Sequence, residues 1–313
     1  VTVAKRPLGN STIEVSEIGL GAWQFTDEGW GGPDENESAR IVDEALALGV
    51  TFIDTAPGYA GGKSEAALGR ALEGRRDQVV LCTKFGYWAD EPANYSAGRI
   101  EESLTKSLAR LRTDYVDVLL VHSPPFELMD GTTQPHYREL QRLKDAGMIR
   151  AYGVSGQADT SEEIRRIVET TGSQAIEIRF NALYQEPAQA FEAAAAAGVG
   201  LIVKVPLESG WLSGKYTADS RFEEGPRSRW TPEQIAERAA LVDEFAALLP
   251  AGVSTTHGAL RHILAQPQVS TVIPGTKSVQ QLRENVAAHE GTLLPDTLAA
   301  IRKLGEGRPS LTW

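Results

Sequence analysis

Short β-rich runs and helix-like stretches alternate along this chain eight times over. The β-rich runs lie near 17–21, 50–54, 78–83, 115–121, 149–154, 174–179, 199–205 and 269–273. Helical periodicity fills the intervals near 36–49, 63–74, 97–112, 134–147, 159–171, 187–197, 254–265 and 277–288. Such repetition brings successive strands parallel through right-handed crossovers. Eight units in 313 residues fit a closed barrel better than an open sheet. The first strand runs into Gly19-Leu20-Gly21-Ala22-Trp23, which lacks the GxGxxG turn of a doubly wound nucleotide-binding sheet. The expected fold is therefore α/β, one (β/α)8 TIM barrel domain spanning residues 1–313.

Three segments exceed a minimal barrel. Residues 1–16 read as two short strands around Gly9-Asn10-Ser11, a hairpin closing the barrel's bottom. A long loop at 206–230 follows strand 7 and leads to an extra helix at 232–248, and a terminal helix is expected at 293–306. Another long loop, 123–135, follows strand 4. Long loops at strand C-termini are where barrel enzymes bind their substrates.

The net charge of −11 argues against a nucleic-acid partner. No segment resembles a signal peptide or a membrane span. The single cysteine, Cys82, excludes an intrachain disulfide and suits a reducing compartment, so a cytoplasmic location is expected. No compact His, Cys and carboxylate pattern calls for a metal.

Four polar residues stand at or just beyond strand ends: Asp54, Tyr59, Lys84 and His122. In a barrel such positions converge on one mouth. A tyrosine with its ordinary pKa near ~10 is a weak acid at neutral pH, and a nearby ammonium favours its phenolate. Tyr59 is then the general acid, Lys84 its tuner, Asp54 the lysine's partner and His122 the group that orients a carbonyl. A proton donor alone reduces nothing, so a hydride donor is required.

Motifs along nearly the whole chain carry a family resemblance. They include Leu8-Gly9-Asn10-Ser11, Phe52-Ile53-Asp54-Thr55-Ala56 with Tyr59, Thr83-Lys84, Asp114-Tyr115-Val116-Asp117 with His122, Gly153-Val154-Ser155, Pro206-Leu207 with Gly214-Lys215-Tyr216, and Ile273-Pro274-Gly275. With them the chain resembles the aldo-keto reductases. That resemblance implies a barrel binding NADP(H) across its mouth, with hydride passing to an aldehyde or ketone and Tyr59 supplying the proton.

The turn from strand 8 into the next helix suits an anion, because backbone N–H groups meet Lys277 there. A 2′-phosphate fits, so NADP(H) is favoured, with Gln281, Glu284 and Asn285 on the adenosine side. The resemblance places Ala22, Trp23, Asp54, Ser155, Pro206, Leu207, Ser209 and Gly275 along the cofactor. It places Gly210, Lys215 and Arg221, or Arg227, over the pyrophosphate. Three departures stand out. Gly156 replaces an Asn, Glu177 a Gln and Lys204 an aromatic, all where the family holds the nicotinamide. A charged Glu177–Lys204 pair is expected in their stead.

Trp23, Trp30 and Trp88, with Tyr59 and His122, are expected to wall the substrate, and Phe126 and Trp211 to join the rim. Aromatic walls suit a small carbonyl compound or a sugar face. The acidic 24–35 loop would disfavour anionic substrates if it lines the pocket. Two other readings share the fold: an NADP(H)-binding regulatory subunit, and a redox-neutral sugar-modifying enzyme.

Overall fold

The computed structural model describes residues 2–88, 90–223 and 226–306. Two strands, β1 (Lys5–Pro7) and β2 (Glu14–Ser16), form an antiparallel hairpin. The barrel follows as β3 (Leu20–Gly21), α1 (Glu35–Ala47), β4 (Phe52–Asp54), α2 (Lys63–Ala71), β5 (Val80–Phe85), α3 (Ala97–Leu111) and β6 (Val116–His122). It continues with α4 (His136–Asp145), β7 (Ile149–Ser155), α5 (Ser161–Thr170), β8 (Ala175–Arg179), α6 (Phe191–Ala196) and β9 (Gly200–Lys204). After β9 come α7 (Pro232–Leu248), α8 (Thr255–Leu264), β10 (Val269–Val272), α9 (Val279–Ala287) and α10 (Pro295–Gly305).

Strands β3 to β10 pair in parallel in sequence order. Bridges Ile18 to Val272 and Gly21 to Gly275 join the two ends, with Gly19 N donating to Val272 O at 2.8 Å. The sheet therefore closes, and the expected (β/α)8 fold is found. The hairpin and the two extra helices are found as well. Among the described residues, no helix is long and apolar enough to cross a membrane.

Strand parity decides what faces the barrel axis. Phe52, Val80, Cys82, Val118, Leu120, Ala151, Ala175 and Ile202 fill the interior together with Leu8 of the hairpin. The alternate residues Ile53, Leu81, Leu119, Val121, Val154, Ile176, Ile178 and Val203 face outward into the layer beneath the helices. Two residues beyond the interior set, the same parity carries Asp54, Lys84, His122, Glu177 and Lys204 to the C-terminal mouth.

The hairpin plugs the opposite end. Gly9 turns there with φ 57°, and a Cβ on it would lie 2.2 Å from Gly198 O, so only glycine lets the chain approach this closely. Asn10 N donates to Gly198 O at 2.8 Å. Helix starts are chemically marked. Thr160 and Glu163 form a reciprocal capping box on α5, and Thr231 and Gln234 form one on α7 ahead of Pro232. Helices α7 and α10 enclose a second core that includes Trp211, Trp230, Phe245 and Ile301. Trp211 is fully buried there, 5.4 Å from Tyr216 and 6.0 Å from Trp230 between ring centroids, so it is a core residue and not part of a rim.

Candidate active site

Lys84 lies at the centre of the mouth, 1 % exposed. Its Nζ donates to Asp54 Oδ1 at 2.5 Å and to Thr55 O at 3.0 Å, and Glu177 Oε2 lies 3.2 Å away. Above it sits Tyr59, whose ring centroid is 5.3 Å from Nζ. Tyr59 reaches this place because the loop after β4 doubles back: Tyr59 N donates to Ala56 O, and Ala60, Gly61 and Gly62 take φ of 49°, 62° and 85° in succession before α2. Ser64 fastens the turn, donating to Ala22 O at 2.8 Å and sharing a hydrogen bond with Thr55 Oγ1. The His122 ring meets Tyr59 edge-on with centroids 5.9 Å apart.

Burial pushes the Tyr59 phenol up, and the charges of Asp54 and Glu177 add to that; Lys84 only partly offsets them. The expected lowering by lysine is thus real but outweighed, and Tyr59 stays a protonated donor. Burial and then the Lys84 charge bring His122 down to about 3, so its imidazole is neutral. A neutral imidazole can orient a carbonyl oxygen through an N–H without carrying charge.

The three departures form a network other than the expected pair. Glu177 sits in the layer of Ser155 and Ile202, whereas Lys204 sits one layer higher, beside Arg179. Lys204 therefore turns aside, donating to Gly156 O at 2.7 Å and Ser155 Oγ at 3.2 Å and pairing with Asp159 at 3.1 Å. Glu177 pairs with Lys84 instead and accepts from Ser155 Oγ at 3.0 Å. Ser155 links the two side chains, donating to Glu177 and accepting from Lys204. Gly156 has a steric cause: a Cβ there would lie 2.9 Å from Glu163 Oε2 and 3.0 Å from Asp159 Oδ1. Those carboxylates belong to the fold of this loop, since Glu163 accepts from the N–H groups of Ala158 and Asp159.

The mouth opens into a cavity of about 1050 Å3. Trp23, Asp54, Tyr59, His122, Ser155, Glu177, Lys204, Pro206, Leu207, Ser209, Gly210, Lys215, Gly275, Lys277, Gln281, Glu284 and Asn285 all line it. At one end Lys215, Arg227 and Lys277 converge. A Cβ on Gly210 would lie 3.4 Å from Lys215 Cε and 3.6 Å from Arg227 Nη2. Burial, then the charges of Arg227 and Lys215, lower the Lys277 pKa. Ser278 caps α9 beside them. Arg221 does not take part: it is exposed and donates to Ala218 O and Ser220 O. Arg227 does line the cavity, donating to Ser209 O at 2.8 Å.

The wall after β9 is strained. Val205, Glu208 and Ser209 have φ of 53°, 47° and 55°. A buried clamp holds it: Arg179 donates to both Glu208 oxygens at 2.8 and 3.0 Å, and Asn181 Nδ2 donates to Val205 O and Glu208 Oε2. On the cavity lining Trp23 is 38 % and Tyr87 52 % exposed, and Tyr87 stands edge-on to His122 at 5.6 Å. Trp88 lies outside this cavity, in a separate depression beneath Arg99. Phe126 packs on the core under Arg166, and the Trp30 side chain lies outside the described residues. Ala22 is buried behind the wall.

The Aldo/keto reductase family model matches residues 17–306. The chain belongs to the aldo/keto reductase family. It is 31% identical over 307 residues to the uncharacterized oxidoreductase YqkF of Bacillus subtilis, covering 95% of each chain. It is 30% identical to the NADH-specific methylglyoxal reductase of Escherichia coli, covering 96% of this chain and 98% of that one. Its fold superposes on the holo form of aldo-keto reductase AKR11C1 from Bacillus halodurans with a TM-score of 0.82 and 29% identity, over 98% and 97% of the two chains. As an aldo-keto reductase the protein is an oxidoreductase of small carbonyl compounds that uses a nicotinamide cofactor.

The residues present fit such a dinucleotide. Gln24 Oε1, buried against Gly275 on the cavity wall, has no hydrogen-bond partner among the described residues. It offers an acceptor to a ligand hydroxyl or amine in the cavity. In this aldo-keto reductase, sequence reading had missed Gln24, Asp159, Arg179 and Tyr87 as members of the site. Only Arg179 carried a signal, being two residues beyond Glu177 on the inward face of β8.

Proposed function

We propose that the protein is an NADPH-dependent reductase of an aldehyde or ketone, with Tyr59 as the proton donor. The observation that carries this reading is Tyr59 set over the buried Lys84 and edge-on to His122, in the mouth of a cavity long enough to reach a cationic corner. Bound NADP(H) supplies the hydride. Lys215, Arg227 and Lys277 would hold its phosphates, and Gln281, Glu284 and Asn285 would face its adenosine. The convergence of three cations at the N-terminus of α9 favours the additional phosphate of NADP(H) over NAD(H).

The protein's own groups then divide the work. Tyr59 keeps its proton until the substrate oxygen gains charge, and it passes the proton to that oxygen. Lys84 stabilises the phenolate left behind, and Asp54 and Thr55 O fix the ammonium. His122, neutral, orients the carbonyl oxygen between Tyr59 and the rim. Trp23 and Tyr87 offer exposed aromatic faces to an apolar or sugar-like substrate body.

The test is cofactor oxidation measured with a panel of aldehydes, ketones and sugars, comparing NADPH with NADH. Turnover with NADPH at a much lower KM than NADH supports the reading. Tight cofactor binding with no turnover on any carbonyl would favour a regulatory role. Product formation with no net cofactor oxidation would favour the redox-neutral alternative.

A further inference from the structure

Glu177 carries a consequence that the Tyr59 chemistry does not require. Asp54, Lys84 and Glu177 are 3 %, 1 % and 2 % exposed, and carboxylate oxygens of Asp54 and Glu177 lie within 4.8 Å of each other and of the Cys82 sulfur. One ammonium serves both acids, at 2.5 Å and 3.2 Å. Glu177 Oε1 accepts from Ser155, but among the described residues Oε2 has no hydrogen-bond donor. Fully ionised, this dry cluster carries one negative charge more than it neutralises.

The surrounding groups do not remove that charge. Tyr59 is a neutral phenol above the cluster, Cys82 a thiol pushed up by burial, and His122 a neutral imidazole. Lys204, beyond Ser155, helps hold the Glu177 carboxyl down but divides its charge with Asp159. Two carboxylates this close in a water-poor site do not both ionise at neutral pH unless compensated, and they titrate as a pair.

We infer that the Asp54–Lys84–Glu177 cluster retains one proton at neutral pH, and that Glu177, sharing Lys84 with Asp54, is the positioning residue responsible. Asp54 is the better seat for the proton. Burial and the Glu177 charge push its carboxyl up, whereas Lys84 and Lys204 outweigh burial at Glu177 and hold it down. With the proton in place, Tyr59 lies over a cluster of zero net charge. When the proton leaves, a negative charge appears beneath Tyr59, the phenol becomes a weaker acid and proton donation slows. This last step rests on the proposed role of Tyr59; the retained proton does not.

Carbon-13 NMR of the side-chain carboxyls of aspartate and glutamate, in the full chain without cofactor, reads the proton directly. The expected result is one carboxyl titrating above about pH 6, well beyond the ordinary carboxylate range, and absent from the Asp54→Asn spectrum. In Glu177→Gln the Asp54 midpoint should fall by about two units, toward that of a lysine-paired aspartate. No carboxyl titrating above about pH 5 in the native protein would overturn the inference. An Asp54 midpoint unchanged in Glu177→Gln would overturn the role of Glu177. The kcat profile for reduction should show a one-proton step near the same midpoint that Glu177→Gln abolishes; a purely structural role would lower kcat and leave the step in place. A protein without reductase activity would sink the proposed function, while the NMR result would still decide the proton.

Discussion

Replacing Lys84 with methionine removes the ammonium and keeps most of the side chain's length. Asp54 and Glu177 would then face each other in a site that is 3 % and 2 % exposed, with their shared cation gone. Relief comes by proton uptake. Holding protonated at pH 7 a carboxyl that ordinarily ionises near 4 costs about 1.4 kcal/mol per unit, hence about 4 kcal/mol for one further carboxyl. That agrees with the roughly 3–5 kcal/mol lost when one partner of a buried ion pair is removed. The sign of the pH dependence follows from the folded pKa lying above the unfolded one. The penalty is absent below about pH 4, grows as pH rises through the window up to the folded pKa, and is constant beyond it. Urea unfolding of both proteins should therefore show Lys84→Met destabilised by about 4 kcal/mol at pH 7, but by only about 1–2 kcal/mol at pH 5. A loss that is the same at both pH values, or below about 1 kcal/mol at pH 7, would refute the shared-cation reasoning.

Other outcomes follow from the same geometry. Lys277→Ala should weaken NADPH binding roughly five- to tenfold, about 1–1.4 kcal/mol for one partly exposed phosphate contact, while NADH affinity stays within about twofold; isothermal titration measures both. His122 should show no imidazole titration between about pH 5 and 8 by NMR, because burial and Lys84 lower its pKa to about 3; a midpoint near its ordinary value would contradict the neutral-imidazole role. Gly9→Ala forces a Cβ to within 2.2 Å of Gly198 O at a φ of 57°, so the melting temperature should fall by several degrees with cofactor affinity unchanged. Arg179→Met leaves the Glu208 carboxylate buried without its bidentate partner, and a loss of about 3–5 kcal/mol in denaturant unfolding is expected.

The barrel was legible because its signal is repeated: eight apolar runs with helical spacers leave few other ways to bury both faces of every strand. Asp54, Lys84, His122, Glu177 and Lys204 were legible for a related reason, since alternation along β4, β5, β6, β8 and β9 fixes their direction once the strand ends are known. Their pairing was not. Whether Lys204 meets Glu177 depends on strand stagger, which places Lys204 level with Arg179 and one layer above Glu177. Trp88 and Tyr87 could not be told apart because the chain leaves β5 through Gly86 at φ 103°, where alternation ceases. Arg221 and Arg227 lie in a loop with no periodicity, and only the folded chain shows that Arg227 reaches Ser209 O. Trp211 was misread for want of knowing what would cover it; α7 and α10 do. Asp159 has its direction set by the hydrogen bonds that its loop's N–H groups donate to Glu163, a capping interaction whose local effect is plain and whose reach to Lys204 is not.

The central claim is that Tyr59 gives the proton. Pre-steady-state and steady-state reduction by Tyr59→Phe, at saturating NADPH and a carbonyl the native protein turns over, tests it most directly. Loss of a positioned general acid predicts a fall in kcat of about 10²–10⁴-fold with the Kd for NADPH within about threefold of native. A variant that keeps more than about a tenth of native kcat would contradict the assignment of Tyr59.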